Sequence, residues 1–294
     1  MVGAAIGALL AVNAVLVGAT LRSPDPGRPA VPSDGLVSVQ ASEPAPQTPG
    51  PAVDLAHGVL LRAGAGAGRC GGGSATLHRS DDAGRTWQRL QTPASTILRV
   101  KVVDKTWAWI VGTDRLCRPR LYLSSDRGRS WRSRASMLGV WYRLPGDASR
   151  LHTAGGRAGS PCPTGGRVLD VAGLTQAAAT VVCANGSAYH TVNGAMSWRR
   201  IPASAEVRAL DFPTPGTAFA VAVAVGCAGL RVDASLNSGR TWRSGGCVPV
   251  GVDQPVSVSF ADAHQGVLAT PTATFLTSDG GLRWRPLGAP EATG

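Results

Sequence analysis

Few side chains in this 294-residue sequence are suited to acid–base catalysis. A glycoside hydrolase needs two carboxyl groups, or a tyrosine with a carboxylate, at a fixed separation across the sugar. Glu43 and Glu291 lie near the chain ends, and Glu206 stands close to Arg208, where a surface ion pair is the simplest role. Tyr142 is the tyrosine without an evident structural position, so Tyr142 and Glu206 are the candidate catalytic residues of an enzyme. The other source of a carboxyl pair is a set of dispersed aspartates: Asp104, Asp114, Asp147, Asp170, Asp211, Asp233, Asp253 and Asp262.

The six cysteines could form disulfides or bind a metal. An even cysteine count in an exported chain is typical of disulfides, whereas the sequence has no CxxC or HExxH motif and its five histidines do not cluster. We therefore expect three disulfides, no metal and no cofactor. Fifteen pairings are open, and pairing between sequence neighbours is our hypothesis: Cys70 with Cys117, Cys162 with Cys183, and Cys227 with Cys247.

A polar octapeptide that ends in tryptophan occurs five times, with the form Ser/Thr-x-Asp/Asn-x-Gly-x-Ser/Thr-Trp. Its third residue is expected to accept hydrogen bonds from amides two residues later, and its glycine to supply a positive φ. Such a turn joins two strands of a hairpin and fixes their register. Ala195 and Arg283 are the departures from the pattern. The defining positions are Asp82, Gly84 and Trp87; Asp126, Gly128 and Trp131; Asn193 and Trp198; Asn237, Gly239 and Trp242; and Asp279, Gly281 and Trp284.

The spacing of the five tryptophans predicts the elements that hold these turns. The intervals are 44, 67, 44 and 42 residues, and the repeats after Trp198 contain three short apolar runs before the turn. A period in the low forties with four strands per unit is typical of β-propeller blades. We predict an all-β propeller of about five to six four-stranded blades, in which residues 137–166 are either an insertion or a degenerate blade.

The five octapeptides resemble Asp-box (BNR) repeats, as found in sialidases, sortilin-type receptor domains and the photosystem II assembly and stability factors. The resemblance covers residues 52–294 and implies a propeller in which the repeated turn is structural. For a sialidase it would also imply a Phe/Tyr-Arg-Ile-Pro motif. Arg199, Arg200, Ile201 and Pro202 come close to that motif, but they directly follow a repeat, and we interpret them as the next strand. The resemblance therefore favours the assembly-factor branch over the hydrolases.

Residues in the longest interval between repeats are candidates for partner binding, because aromatic and arginine side chains are favoured at binding hot spots. The alternative for Trp141 and Tyr142 is that they only cover a blade edge. The candidate binding residues are Trp141, Tyr142, Arg143, Arg150, His152 and Arg157.

The N-terminal part of the sequence predicts export. Residues 2–21 are uncharged and long enough to span a bilayer, so residues 1–21 form a signal peptide or a transmembrane helix. Residues 22–51 contain eight prolines and predict a disordered linker, which leaves residues 52–294 as the propeller. An extracytoplasmic protein, either membrane-anchored or secreted, is expected.

The formal charge of +11 comes almost entirely from scattered arginines, and no nucleic-acid-binding motif accompanies it. We expect a monomeric, non-catalytic scaffold whose partner is an envelope protein, and no nucleic-acid binding. The alternatives are a sialidase-like glycoside hydrolase and a binder of anionic cell-wall polysaccharide.

Overall fold

The computed structural model describes residues 50–64, 75–134, 139–144, 147–153, 155–163, 166–203 and 205–288. The expected N-terminal helix and most of the linker lie outside this part of the chain, as does Cys70. No helix among the described residues is long and apolar enough to cross a membrane.

The described strands form six antiparallel sheets, each made from one continuous stretch of chain. Five are four-stranded, with strands in sequence order from the centre outward. Blade 1 contains β1 (Ala52–Ala56), β2 (Val59–Ala63), β3 (Leu77–Ser80) and β4 (Gln88–Leu90); blade 2 contains β5 (Thr96–Val102), β6 (Ala108–Thr113), β7 (Pro119–Ser124) and β8 (Arg132–Arg134). Blade 3 contains β9 (Tyr142–Leu144), β10 (Asp147–Thr153) and β11 (Gly156–Gly159).

The second half of the ring repeats the four-stranded plan. Blade 4 contains β12 (Val168–Gly173), β13 (Ala179–Cys183), β14 (Ala188–Thr191) and β15 (Arg199–Ile201). Blade 5 contains β16 (Glu206–Asp211), β17 (Ala218–Val223), β18 (Leu230–Ser235) and β19 (Cys247–Val248). Blade 6 contains β20 (Ser257–Phe260), β21 (Gly266–Ala269), β22 (Thr274–Thr277) and β23 (Arg285–Pro286). The all-β propeller is thus confirmed with six blades, and the long interval between repeats holds a degenerate blade.

The hydrophobic core consists of separate layers between neighbouring blades. Each pair of neighbours shares a buried apolar cluster, including blades 6 and 1, whose cluster contains Val53, Leu55, Val267 and Leu276. Among the described strands none is exchanged between these two blades, so there the ring closes by packing of the last blade on the first. Residues 285 and 286 complete blade 6 as its outermost strand.

The octapeptide turns are built by side chains that bind backbone amides. In the first turn, the Oγ of Ser80 accepts the amide of Gly84 at 2.7 Å, and Oδ1 of Asp82 accepts the amides of Arg85 and Thr86 at 3.0 and 2.9 Å. The third residue thus binds amides three and four positions later, and the expected spacing of two positions was wrong. The same serine or threonine contact to the fifth residue recurs in the other four turns.

The fifth residue of each turn has a positive φ, as expected, because the chain reverses there. In blades 1, 2, 5 and 6 this residue is a glycine that also lies against the preceding blade. A Cβ on Gly128 would lie 2.4 Å from Cδ1 of Leu90 in β4, and a Cβ on Gly84 would lie 2.3 Å from Cδ1 of Leu287. A side chain here would force the leucine to move and would strain the positive φ, so the glycine serves both the turn and the contact between blades.

Two of the expected disulfides are present, Cys162–Cys183 and Cys227–Cys247. Cys183 is the last residue of β13, so the first of these disulfides is attached to a strand of blade 4. Cys117 is also disulfide-bonded, but the pairing with Cys70 stays a prediction because Cys70 lies outside the described residues.

Candidate binding site in the central cavity

The innermost strands of the six blades surround a central cavity of about 850 Å³. These strands are β1, β5, β9, β12, β16 and β20, and each contacts the next around the ring, including β20 with β1. Residues 253–256, which precede β20, add part of one rim. The cavity is the place where side chains from every blade meet.

Five cationic side chains line this cavity, and their surroundings differ. Nη1 of Arg99 donates to the carbonyl of Trp141 at 3.0 Å, and its guanidinium lies 5.9 Å from the ring centroid of Trp109. Burial lowers the pKa of Arg99, which remains charged at neutral pH. Lys101 is more open, with 44% of its side chain exposed. The full set is Arg99, Lys101, Arg143, Arg167 and Arg208.

Three aspartates of the wall accept backbone amides from the next blade. Asp54 accepts the amide of Val102 at 2.7 Å. Asp170 accepts that of Leu210 at 3.1 Å, and Asp211 that of Phe260 at 2.6 Å. Between blades 6 and 1 a hydroxyl takes this place, since Oγ of Ser259 accepts the amide of Leu55 at 3.2 Å. These side chains tie neighbouring blades together at the centre of the ring.

Asp54 is the most connected of the three. Its side chain is 6% exposed, and besides the amide of Val102 it binds Nζ of Lys101 at 2.9 Å and the hydroxyl of Ser259 at 3.2 Å. Asp54 therefore contacts blades 2 and 6 from blade 1. Sequence reasoning missed this residue because a single aspartate in the apolar segment AVDLA carries no motif.

Burial sets the protonation of the other two carboxyls. It raises the pKa of Asp211 to about 6 and also raises the pKa of Asp170. The amide hydrogen bonds oppose the shift without cancelling it, because removal from water disfavours the charged form. A proton can therefore reside on Asp211 in weakly acidic solution.

The structure brings some of the sequence candidates to this cavity. Arg143 lines it and donates to the carbonyl of Val168 at 3.0 Å. Trp141 and Tyr142 are buried in its wall, where Nε1 of Trp141 donates to the carbonyl of Thr175 and the Tyr142 ring stacks on His152 at 4.7 Å.

The remaining candidates lie elsewhere or are not described. Arg150 is exposed on β10 in blade 3. The side chain of Arg157 lies outside the described residues. Glu206 begins β16 and pairs with Arg208 at 3.0 Å, the ion pair expected from the sequence.

The octapeptide turn of blade 5 and the end of blade 4 form a shallow outer cleft. It is lined by Arg200, Pro202, Ala203, Arg240, Thr241 and Trp242, and its volume is about 570 Å³. Nε1 of Trp242 donates to the carbonyl of Pro202 at 2.9 Å, as Nε1 of Trp87 does to that of Gly288 at 3.2 Å. The cleft therefore follows from the contact that a turn makes with the preceding blade.

No group of three or more metal-binding side chains is found within the described segments.

Comparison with known proteins supports the fold. No family model and no curated protein match the sequence. Among solved structures, the SapL1 lectin in complex with α-methyl fucoside has a TM-score of 0.56 at 12% identity, with 85% of this chain and 99% of that chain covered. The fucose-specific lectin from Aleuria aurantia has a TM-score of 0.52 at 12% identity, with coverages of 83% and 96%.

A structure of YCF48 bound to D1 peptide also matches, with a TM-score of 0.32 and 14% identity over 80% of this chain. The present chain spans 65% of that protein. The similarity to the lectins is a similarity of β-propeller architecture.

Proposed function

We propose that this chain is an exported, non-catalytic propeller of the Asp-box type, which holds an acidic segment of an envelope protein at its central cavity as a binding or assembly scaffold. The five turns support the Asp-box assignment, since a serine or threonine and an aspartate or asparagine bind the same amides in each. The two disulfides support export to an oxidising compartment.

The proposal rests on what the cavity carboxylates bind. A hydrolase requires carboxyl groups that can exchange protons with a substrate. Asp54, Asp170 and Asp211 instead hold backbone amides of the next blade, so moving them toward a substrate would open the contacts at the centre of the ring. This wall is suited to binding a partner without reacting with it.

The charges of the cavity indicate the chemistry of the partner. Five cations face four carboxylates, Asp54, Asp170, Asp211 and Asp253, and burial raises the pKa of two of these. Lys101 is paired with Asp54 and Arg208 with Glu206 outside the cavity lining, whereas Arg99, Arg143 and Arg167 have no ion-pair partner among the described residues, so the wall carries unpaired positive charge. We place Arg143 with these cations as a proposed binding residue.

Photo-cross-linking in intact cells tests this function, with the cross-linker at the cavity rim in place of Gln254. We expect a discrete product with one envelope protein, and Arg167→Glu should reduce its yield about tenfold by reversing a charge in the cavity wall. Arg132→Glu is the matched control, because Arg132 is exposed on β8 outside the cavity. Unchanged yield in Arg167→Glu would overturn the assignment of the cavity.

The two alternatives give different results. A glycoside hydrolase would turn over fluorogenic sialosides or other glycosides, and Tyr142→Phe or Glu206→Gln would abolish the turnover. A binder of anionic wall polymer would retain purified polymer with an affinity that falls steeply as salt rises. Either result, in the absence of a protein cross-link, would replace the proposed scaffold function.

A further inference from the structure

Blade 3 lacks the strand that completes every other blade. Within the described residues its sheet has the order β11-β10-β9, whereas the others have four strands. In blades 1, 4 and 6, a residue in or just after the fourth strand packs on the turn of the following blade: Leu90 on Gly128, Ile201 on Gly239, and Leu287 on Gly84. The turn of blade 4 follows blade 3 and therefore lacks this cover.

The sequence of the blade 4 turn departs from the pattern at the residue that would be covered. The fifth position is alanine, Ala195, with a φ of 75°. It is partly exposed, whereas the glycines at the same position of the other four turns are buried. A methyl group fits here because no leucine or isoleucine of a fourth strand presses on it. An incoming strand must present a side chain smaller than leucine at this point.

The tryptophan of the same turn packs on blade 3 through its ring. Trp198 lies edge-on against Trp141, with ring centroids 6.3 Å apart. Within the described chain, its Nε1 makes no bond like those that join Trp87 and Trp242 to a carbonyl of the preceding blade, and Trp131 makes none either, although blade 1 has its fourth strand. The Trp198 donor is therefore compatible with an added strand but does not by itself indicate one.

The edge of β11 is suited to pairing. Ser149 and Ser160 are joined by a backbone hydrogen bond in the register of β10 and β11, so the polar groups of Arg157 and Gly159 point away from β10. Gly156 and Gly159 have open space at their Cβ positions.

We propose that the edge of β11 receives an extended, acidic segment of a partner protein, which becomes the fourth strand of blade 3. Backbone hydrogen bonds to Arg157 and Gly159 supply the pairing, as in other cases of strand addition. Charge complementarity selects acidic residues, since Arg150 of β10 is exposed, whereas Asp147, the acidic residue of the same strand, already accepts a hydrogen bond from the hydroxyl of Ser149 at 2.6 Å. This surface is separate from the central cavity.

A short synthetic peptide of alternating valine and glutamate tests the site. We expect it to bind the disulfide-bonded protein in calorimetric titration and to slow hydrogen exchange at the amides of Arg157 and Gly159. Gly159→Pro removes one outward amide without breaking a bond to β10, and it should weaken binding about tenfold or more. Gly159→Ala keeps the amide and is the matched control.

Three further results decide the proposal. The same peptide with alternate backbone amides methylated should not bind, and this arm needs no protein variant. A valine–lysine peptide should bind more weakly than the valine–glutamate peptide. Absence of binding, equal binding by the methylated peptide, or preference for lysine would overturn the proposal. Formation of a concentration-dependent dimer that Gly159→Pro abolishes would overturn it in favour of pairing between two copies of this chain.

Discussion

The outer turns and the central cavity both use aspartates to bind backbone amides, but in opposite surroundings. In the turns, the carboxylates lie at the surface, and the amide and hydroxyl of Thr86 lower the pKa of Asp82 to about 2. In the cavity wall, the same kind of bond does not offset burial, and the pKa of Asp211 rises to about 6. Hydrogen bonds to a carboxylate therefore do not by themselves determine its charge; the surrounding water does.

The two regions also differ in what they connect. The turn aspartates bind amides of their own turn, and contact with the neighbouring blade is left to the glycine and the tryptophan. The cavity aspartates bind amides of the next blade directly. Loss of a turn aspartate should therefore loosen one hairpin, whereas loss of a cavity aspartate should separate two blades.

Among the variants that test this difference, Asp54→Ala is expected to lower the free energy of unfolding the most. It leaves the amide of Val102 and the ammonium of Lys101 without their acceptor beside a buried wall, and the free energy of unfolding should fall by about 3–4 kcal/mol. Urea denaturation measures this loss. Asp82→Ala in the first turn is the matched variant, and it should have a clearly smaller effect; equal losses would contradict the distinction between the two regions.

Gly128→Ala is expected to have an intermediate effect. The methyl group would lie 2.4 Å from Cδ1 of Leu90 on a backbone with a φ of 85°, so both packing and conformation are disturbed. The unfolding free energy should fall by about 2–3 kcal/mol. The reverse change in blade 4, Ala195→Gly, provides the contrast and should stabilise slightly or have no effect. A loss in Ala195→Gly would show that its methyl group is already packed by a neighbour.

The turns were predictable from the sequence because their chemistry is local. Asp82, Gly84 and Trp87 act on residues within the same few positions or on an adjoining blade, and the repetition displays them. The tryptophan period gave five blades for the same reason. Blade 3 was less predictable because residues 137–166 lack the octapeptide that marks the other blades.

Most of the residues that line the cavity could not be predicted from the sequence. Asp54 and Lys101 meet because the innermost strands of blades 1 and 2 are neighbours, and Asp54 meets Ser259 because the ring closes. Nothing in the spacing of these residues indicates which strand of a blade is innermost. Their partners are backbone groups of other blades, which have no sequence signature. Asp170 and Asp211 were among the dispersed aspartates, but burial and hydrogen bonding had to be known before a role could be assigned.

The smallest expected effect tests the difference in charge between the two regions. Since the pKa of Asp211 is raised from 3.8 to about 6, folding takes up a proton at that carboxyl, and the associated stability is complete below about pH 4 and is lost as pH rises through 6. Asp211→Asn keeps an oxygen for the amide of Phe260 without a charge. At pH 7 it should raise the unfolding free energy by about 1–2 kcal/mol, and at pH 4 it should have no stabilising effect. Thermal unfolding followed between pH 4 and 7 measures this difference in stability.

The turn carboxylates change stability with pH in the opposite direction, because a lowered pKa gives stability that is lost only as pH falls from about 4 toward 2. A stabilisation that persists unchanged at pH 4 would show that the variant acts through packing, and that burial does not distinguish the cavity carboxyl from those of the turns.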